Sequence, residues 1–366
     1  MSLLVTLYNL AVLGRLREDP GPFDPVQVRK ILVVRNDNIG DVICTTPALD
    51  ALRQAFPRAE IAAVVCTLAQ EALSGHRALD RLWTYPKAKH RQHGLLRSLV
   101  RLGRVLLEVR QERFDLVIAP RASFSTSQGW IAYASRARWR LGLRVLGKRS
   151  RWGFFYNLTA APPGPDLHEV ERCFHLLNHI RVDSGDKRLY LKVPEAAAGR
   201  AQSFLAAHGL DDQPGPLVVN ITRWAYRPDR LWPAERYRVL VEELAARPGG
   251  VVVTHAPADR QWVSGLLDGL KVPVYRSASL QEFAALLARG RALITAEGGP
   301  MHLAAALGRP LVVMWGHTPQ KVWYPWRVAH IIVGGGAPVS AISPGQVLAA
   351  LDDLLASLPG QSGPRD

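Results

Sequence analysis

The apolar positions of this chain fall into short unbroken runs separated by stretches of helical periodicity. Ile31-Leu32-Val33-Val34 is the first such run, the pattern of a parallel strand buried on both faces. After it comes a loop, Arg35 to Asp41, and then a helix to about Phe56-Pro57. Either Asp41 or Thr46, with Pro47 at the first helical position, caps that helix. Ile61–Val65 and Phe114–Ala119 read as further strands. Between them Lys87–Arg113 is basic and amphipathic: Leu95, Leu96, Leu99, Leu102, Val105, Leu106 and Val109 make an apolar face, with Arg97, Arg101, Arg104 and Arg110 among them. His168 opens a helix through Ile180.

Residues 181–215 read as a seam, with a short extended piece at Leu189–Val193 and a helix over Glu195–His208. The alternation then restarts. Strands are expected at Leu217–Asn220, Gly250–Thr254, Val272–Tyr275, Ala292–Thr295 and Leu311–Trp315. Helices are expected from Trp232-Pro233 to Ala246, over Asp259–Leu270, from Leu280, over Met301–Leu307, and from Ser343-Pro344 to Leu358. Alternating strand and helix predicts an α/β chain with parallel sheets. The economical architecture is two βα domains facing a central cleft: an arm over 1–30, one domain over 31–190 and a second over 191–366.

Two loops carry chemistry. The one after Val34 lies where doubly wound sheets hold ligands, although no G-x-G-x-x-G is present. The second is the turn Glu297-Gly298-Gly299-Pro300, between a strand and the helix starting at Met301. Glycines let backbone approach a ligand, and the first amides of a helix lack internal partners. Those donors and the positive end of the helix dipole suit a phosphate, although such turns are also common as plain structure.

Composition narrows the picture. With 366 residues, 48% of them hydrophobic, and mean hydropathy near zero, the chain reads as soluble and globular, and no run approaches the roughly 18 apolar residues of a membrane span. Three separated cysteines (Cys44, Cys66, Cys173) argue against a disulfide framework or structural zinc and fit a cytoplasmic protein. In residues 1–14 a leucine stripe admits two readings, a helix in a membrane interface or one packed on its own domain. The net charge of +15 predicts an acidic partner. Arg136–Arg151 holds seven basic residues and no acid, with Trp139 inside it. That suits RNA, or equally a phosphorylated glycolipid head group.

Several separated segments match one pattern. They are Ile31 to Arg35 with Ile39-Gly40-Asp41-Val42 and Thr45-Thr46-Pro47-Ala48-Leu49; Phe114-Asp115-Leu116-Val117-Ile118; His168-Glu169-Val170 with Arg172; Arg230-Leu231-Trp232-Pro233; and Gly299 to Gly308. In these, across residues 31–358, the chain resembles the glycosyltransferase family 9 enzymes, the ADP-heptose:lipopolysaccharide heptosyltransferases and their relatives. The resemblance implies a GT-B fold with an acceptor-binding first domain and a nucleotide-sugar-binding second one. It also implies inverting transfer with no metal and no cofactor, the nucleotide sugar (an ADP-sugar) being a co-substrate. Asp41 takes the place of the family's proposed general base; its alternative role is helix capping. Gly298, Gly299 and Met301 match the diphosphate-binding turn, and Arg230 stands where the family has Lys. His302 is a further donor-site candidate, or a histidine satisfied within its helix, and Asp259 a candidate for the ribose hydroxyls.

The match has one departure: Glu297-Gly298-Gly299 replaces the family's Asp-Ser/Thr-Gly, which lengthens a carboxylate and removes a hydroxyl. The expected acceptor is a phosphorylated lipopolysaccharide core or similar acidic glycan, docking on Arg136, Arg138, Arg140, Arg144 and Lys148, with peripheral association at the cytoplasmic face of the inner membrane. Two other classes remain: a GT-B relative with epimerase or purely binding function, and a nucleic-acid-binding protein, against which stands the lack of any recognised module.

Overall fold

The computed structural model describes residues 20–86, 95–121, 123–212, 214–222 and 230–358, without the side chains of residues 95–97, 99, 148 and 151. The leucine stripe of residues 1–14, the start of the basic stretch at Lys87 and the Lys148 side chain lie outside this description. The chain divides into two compact units. One takes the residues up to Gln70 and Gly75–Lys187; the other takes Glu71–Ser74 and the residues from Arg188 onward.

The first unit is built on six parallel strands: β1 (Lys30–Val34), β2 (Glu60–Cys66), β3 (Arg81–Tyr85), β4 (Leu116–Ile118), β5 (Trp139–Leu143) and β6 (Leu158–Ala160). Their order across the sheet is β3-β2-β1-β4-β5-β6. β1 is central, with Ile31 opposite both Ile61 and Leu116, and its apolar residues are fully buried. The second unit holds β7 (Leu217–Ile221), β8 (Val251–His255), β9 (Val274–Tyr275), β10 (Ala292–Ala296), β11 (Leu311–Trp315) and β12 (His330–Gly334), in the order β12-β11-β10-β7-β8-β9. Counted within its own unit, each sheet runs 3-2-1-4-5-6, the doubly wound order. Each therefore has one place where the strand order reverses, between β1 and β4 and between β7 and β10. At that place the loops leaving the carboxyl ends diverge and open a crevice.

The helices follow from capping and amphipathicity. Ser343 and Gln346 form a capping box at the start of Pro344–Ser357, whose Val347, Leu351 and Leu354 enter the second core. On Leu95–Gln111, Val105 and Val109 pack into the first core while Arg101, Arg104 and Arg110 stay exposed. Core burial thus accounts for the described part of its apolar face.

Several local expectations need correction. The single helix expected before Phe56 is two, Ile39–Ile43 and Thr46–Ala55; Asn38 is the N-cap of the first and Thr45 of the second. Asp41 is not the N-cap itself but the third helical residue, and it caps from there: its carboxylate accepts from the Asn38 amide at 3.2 Å, completing a capping box. The helix after the Gly-Gly turn starts at Gly299 rather than Met301. β3, β6 and β12 leave no long apolar run in the sequence, being short or bordered by polar residues. β5 went unread because its alternating arginines mask Trp139 and Leu141, both buried.

Candidate active site

In a parallel sheet every carboxyl end faces the same edge, so the loops after β1 and β4 meet. The first residue after β1, Arg35, is only 1% exposed. Its Nη2 donates to Asp41 Oδ1 at 3.1 Å and to Glu169 Oε1 at 2.5 Å, its Nη1 donates to the Pro120 carbonyl after β4, and its Nε lies 3.4 Å from Asp37 Oδ2. Burial alone would lower the pKa of this guanidinium. Glu169, Asp41 and Asp37 outweigh it and hold the pKa well above the ordinary arginine range. Glu169 is delivered by the helix Glu169–Leu177, which His168 caps by accepting the Val170 amide at 3.1 Å. Asp37 also pairs with Arg121 and accepts from Gln128 Nε2 at 3.3 Å. Burial pushes the neighbouring Cys173 thiol up to about 12, so it stays protonated at neutral pH and no thiolate nucleophile is present there.

The three carboxylates around Arg35 are not equivalent. Asp37 and Glu169 are closed off, with side chains 4% and 3% exposed, whereas that of Asp41 is 19% exposed. Asp41 is therefore held by a fixed cation and a backbone amide yet presents itself to a ligand. Such an arrangement can orient a substrate hydroxyl and accept its proton.

At the corresponding edge of the second unit, β10 runs into Glu297. Gly298 caps the helix Gly299–Ala306 with φ 150° and ψ −160°, a conformation essentially confined to glycine. Pro300 has no N–H, so the donors of the first turn are those of Gly298, Gly299 and Met301. The Glu297 side chain is 2% exposed, and its Oε1 lies 3.4 Å from Arg230 Nε. Arg230 Nη2 in turn donates to Thr318 Oγ1 at 2.6 Å. Thr318 is steadied by Trp315, whose indole N–H donates to the Thr318 carbonyl at 2.8 Å. Beside them, Asn220 Oδ1 accepts from Thr222 Oγ1 at 2.8 Å and Thr295 Oγ1 at 3.3 Å, at the reversal between β7 and β10. His302 is buried, and burial pushes its pKa down to about 4. It is neutral at physiological pH and serves no phosphate as a cation. Asp259 is buried beyond the carboxyl end of β8.

The family model described as glycosyltransferase family 9 (heptosyltransferase) matches residues 101–341, about two thirds of the chain. The chain belongs to glycosyltransferase family 9. It is a glycosyltransferase. The lipopolysaccharide heptosyltransferase 3 of Escherichia coli is 24% identical over 342 residues, covering 87% of this chain and 97% of that protein. Among solved structures, the family 9 glycosyltransferase of Veillonella parvula aligns with a TM-score of 0.76 at 23% identity, over 90% of this chain and 98% of that one. Escherichia coli heptosyltransferase WaaC, solved with ADP-2-deoxy-2-fluoro heptose, aligns at 0.68 and 23%, over 88% and 99%. These likenesses show the fold, which is GT-B.

Within this family 9 chain, the sequence-predicted site residues separate into groups. Asp41 stands at the carboxyl edge of the first sheet, and Arg230, Glu297, Gly298, Gly299 and Met301 gather at that edge of the second. The expected acceptor residues with described side chains, Arg136, Arg138, Arg140 and Arg144, do not form one face. Arg136 and Arg138 precede the amino end of β5, at the far edge of the sheet, where Arg138 bonds Gln27 and the Pro20 carbonyl. Arg140, within the strand, spends its guanidinium on the Phe155 and Ala137 carbonyls, both at 3.0 Å. Of the four whose side chains are described, only Arg144, just past the carboxyl end of β5, reaches the carboxyl edge of the sheet, where it lines a cavity of about 200 Å³. The Arg/Trp alternation that opened a nucleic-acid reading is thus a strand with Trp139 in the core. The sequence assigns no role to Arg35, Asp37, Glu169, Arg121 or Thr318, although Arg35 and Glu169 fall within segments that match the family pattern. For Arg35 a signal existed: a charged residue directly after a wholly apolar strand.

Among the described residues, no three His, Cys, Asp or Glu side chains are grouped to hold a metal ion, and no helix is long and apolar enough to cross a membrane.

Proposed function

We propose that this enzyme transfers a heptose from an ADP-sugar to an acidic lipopolysaccharide-core acceptor, with inversion and without a metal. The relatives named above are lipopolysaccharide heptosyltransferases, and one aligned structure carries an ADP-heptose analogue. The observation that carries the reading is the state of Asp41, clamped by Arg35 and the Asn38 amide but alone in its cluster in being partly exposed.

In the proposed reaction an acceptor hydroxyl oxygen attacks the anomeric carbon as the bond to the diphosphate breaks. Asp41 takes the hydroxyl proton. The amides at the start of Gly299–Ala306, together with Arg230, receive the charge of the departing nucleoside diphosphate, the task such donors perform when preorganised. Arg230 in place of lysine keeps a permanent cation with a forked set of donors. Glu297 acts in this scheme by fixing Arg230, and His302 by packing. Asp259 is assigned to the ribose hydroxyls. The net charge of +15 favours peripheral residence on an anionic membrane surface.

Asp41→Asn tests the scheme, since amide and carboxylate have nearly the same shape. Transfer from ADP-heptose to a deacylated lipopolysaccharide core should fall about 10²–10⁴-fold in kcat, the usual worth of a placed base, while calorimetric ADP affinity stays within twofold. Undiminished transfer would remove Asp41 from the mechanism, and selective binding of UDP- or GDP-sugars would discard the ADP-heptose donor.

A further inference from the structure

Glu169 takes no part in the transfer step, yet its carboxylate is buried in the first unit. Its side chain is 3% exposed and lies against the Arg35 guanidinium, which is 1% exposed. A buried ion pair gives up the hydration of both charges, and an apolar pair of similar volume often holds a fold as well or better. Stability alone therefore does not account for these charges. What distinguishes the pair is its third member, the partly exposed carboxylate of Asp41.

The three meet at one atom. Arg35 Nη2 carries two N–H bonds, and it gives one to Glu169 Oε1 at 2.5 Å and the other to Asp41 Oδ1 at 3.1 Å. The shorter contact is the one closed off from solvent, where a charge-assisted hydrogen bond is stronger. Glu169 thus takes the larger share of the cation and Asp41 the smaller. The other edges of the guanidinium are occupied, Nη1 by the Pro120 carbonyl and Nε by Asp37 Oδ2 at 3.4 Å. Only the division between the two acids at Nη2 is left to adjust.

Glu169 is itself well held. It is the first residue of its helix, where the helix dipole favours a negative charge, and Arg172 Nη1, one turn on, stands 3.7 Å from its Oε2. The same helix reaches Asp41 by a second route. Cys173 Sγ lies 3.8 Å from Thr45 Oγ1, which donates to the Asp41 carbonyl at 2.9 Å.

We propose that Glu169 is a positioning residue for the general base: by drawing Arg35 toward itself, it leaves Asp41 oriented by the guanidinium but not tied up in a full ion pair. A carboxylate fully paired with a buried arginine is a poor proton acceptor. A shared one keeps a fixed hydrogen bond and stays open to an acceptor hydroxyl. The inference rests on Asp41 being the base. The other charged and titratable groups around Asp41 are Asp37 on the loop after β1, Arg121 after β4, which pairs with Asp37, Arg172 on the helix of Glu169, and the thiols of Cys44 and Cys173. Burial raises both thiols, so neither titrates below neutral pH.

Steady-state transfer by the full chain, from ADP-heptose to a deacylated lipopolysaccharide core, tests it as a function of pH. Glu169→Gln keeps the shape and removes the charge, so Arg35 turns wholly to Asp41. On the alkaline plateau kcat should fall about 10-fold while both KM values stay within about twofold. The acid limb of kcat should move about one unit to lower pH, the low end of what an opposite charge produces. Glu169→Asp restores the charge and should return the limb to its wild-type position. Arg35→Gln/Glu169→Gln removes both charges, which a buried site tolerates better than the loss of one, and its limb should lie at or above that of the wild type. A Glu169 that only braces the fold would lower kcat or stability in Glu169→Gln and leave the limb in place, which overturns the proposal. A double variant whose limb lies below the wild type also overturns it, and decides the matter if Glu169→Gln does not fold. Asp41→Asn separates the two readings. Undiminished transfer there removes the base and this role with it, whereas lost transfer there beside an unmoved limb in Glu169→Gln removes the role of Glu169 alone.

Discussion

Glu297 and Arg230 lie 67 positions apart in the chain, yet they form one device. Read separately, each was a candidate contact for the donor. Together, the buried carboxylate faces the guanidinium, and Thr318 accepts from its other arm. Removing the cation alone leaves a buried negative charge beside the expected diphosphate, so Arg230→Ala combines a lost attraction with a new repulsion. ADP affinity should fall about 10–100-fold, corresponding to the 1.5–3 kcal/mol of a hydrogen bond to a charged group. Adding Glu297→Gln should recover part of the loss, and the coupling measured by calorimetry over the four proteins should exceed about 0.5 kcal/mol. Strict additivity would mean that the two side chains act independently. The same lesson holds at Arg35. Its charge was visible in the sequence and Asp37 and Asp41 follow it closely along the chain, but Glu169 comes from a helix 134 positions away and meets it only in the folded unit.

At the scale of elements, the reading succeeded where one physical requirement dominated. β1, β7, β10 and β11 are continuous apolar runs because both faces of a parallel sheet are covered, and their positions were legible to within a residue or two. β5 was not, because it satisfies its core face with only Trp139 and Leu141 while Arg140 ties off neighbouring carbonyls. The helix Thr126–Ala134 was also unread. It packs Gly129 against the ring of Phe155 from the 3-10 segment Gly147–Phe155, so closely that an added Cβ would overlap the ring. Gly129→Ala therefore sets two effects against each other. Helix propensity favours alanine by up to about 1 kcal/mol, while overpacking costs about 1–3 kcal/mol. The clash should win, giving a net loss of about 1–2 kcal/mol in urea denaturation. A stabilised variant would show that the Phe155 ring gives way to the added methyl at little cost.

The molecule as a whole repeats one topological plan twice, and among the described residues each unit carries one buried histidine whose pKa burial lowers to about 4: His76 in the first and His302 in the second. Unfolding exposes these rings and returns them to about 6.5, the ordinary histidine value. The unfolded chain then binds more protons between those two values, so stability is present above about pH 6.5 and is lost as pH falls toward 4. Each ring contributes on the order of 3 kcal/mol across that window. His302→Gln should flatten the acid limb of a Tm-against-pH profile, and so should His76→Gln. Unchanged profiles in both would mean that other groups set the acid sensitivity.

From sequence alone, the periodicity established an α/β chain with two repeated βα series. The motifs placed Asp41 and the Glu297–Met301 turn at strand ends, and composition established a strongly basic protein. Local patterns suffice for these because burial and backbone geometry act residue by residue along one segment. Tertiary structure decided which charges belong together: Arg35 with Asp41 and Glu169, Arg230 with Glu297, and Arg121, Arg144 and Arg149 around one cavity. It also separated Arg136 and Arg138 from Arg144, although only a strand lies between them. A parallel sheet sends the two ends of each strand to opposite edges and gathers the carboxyl ends of all its strands at one, and no linear spacing encodes that gathering.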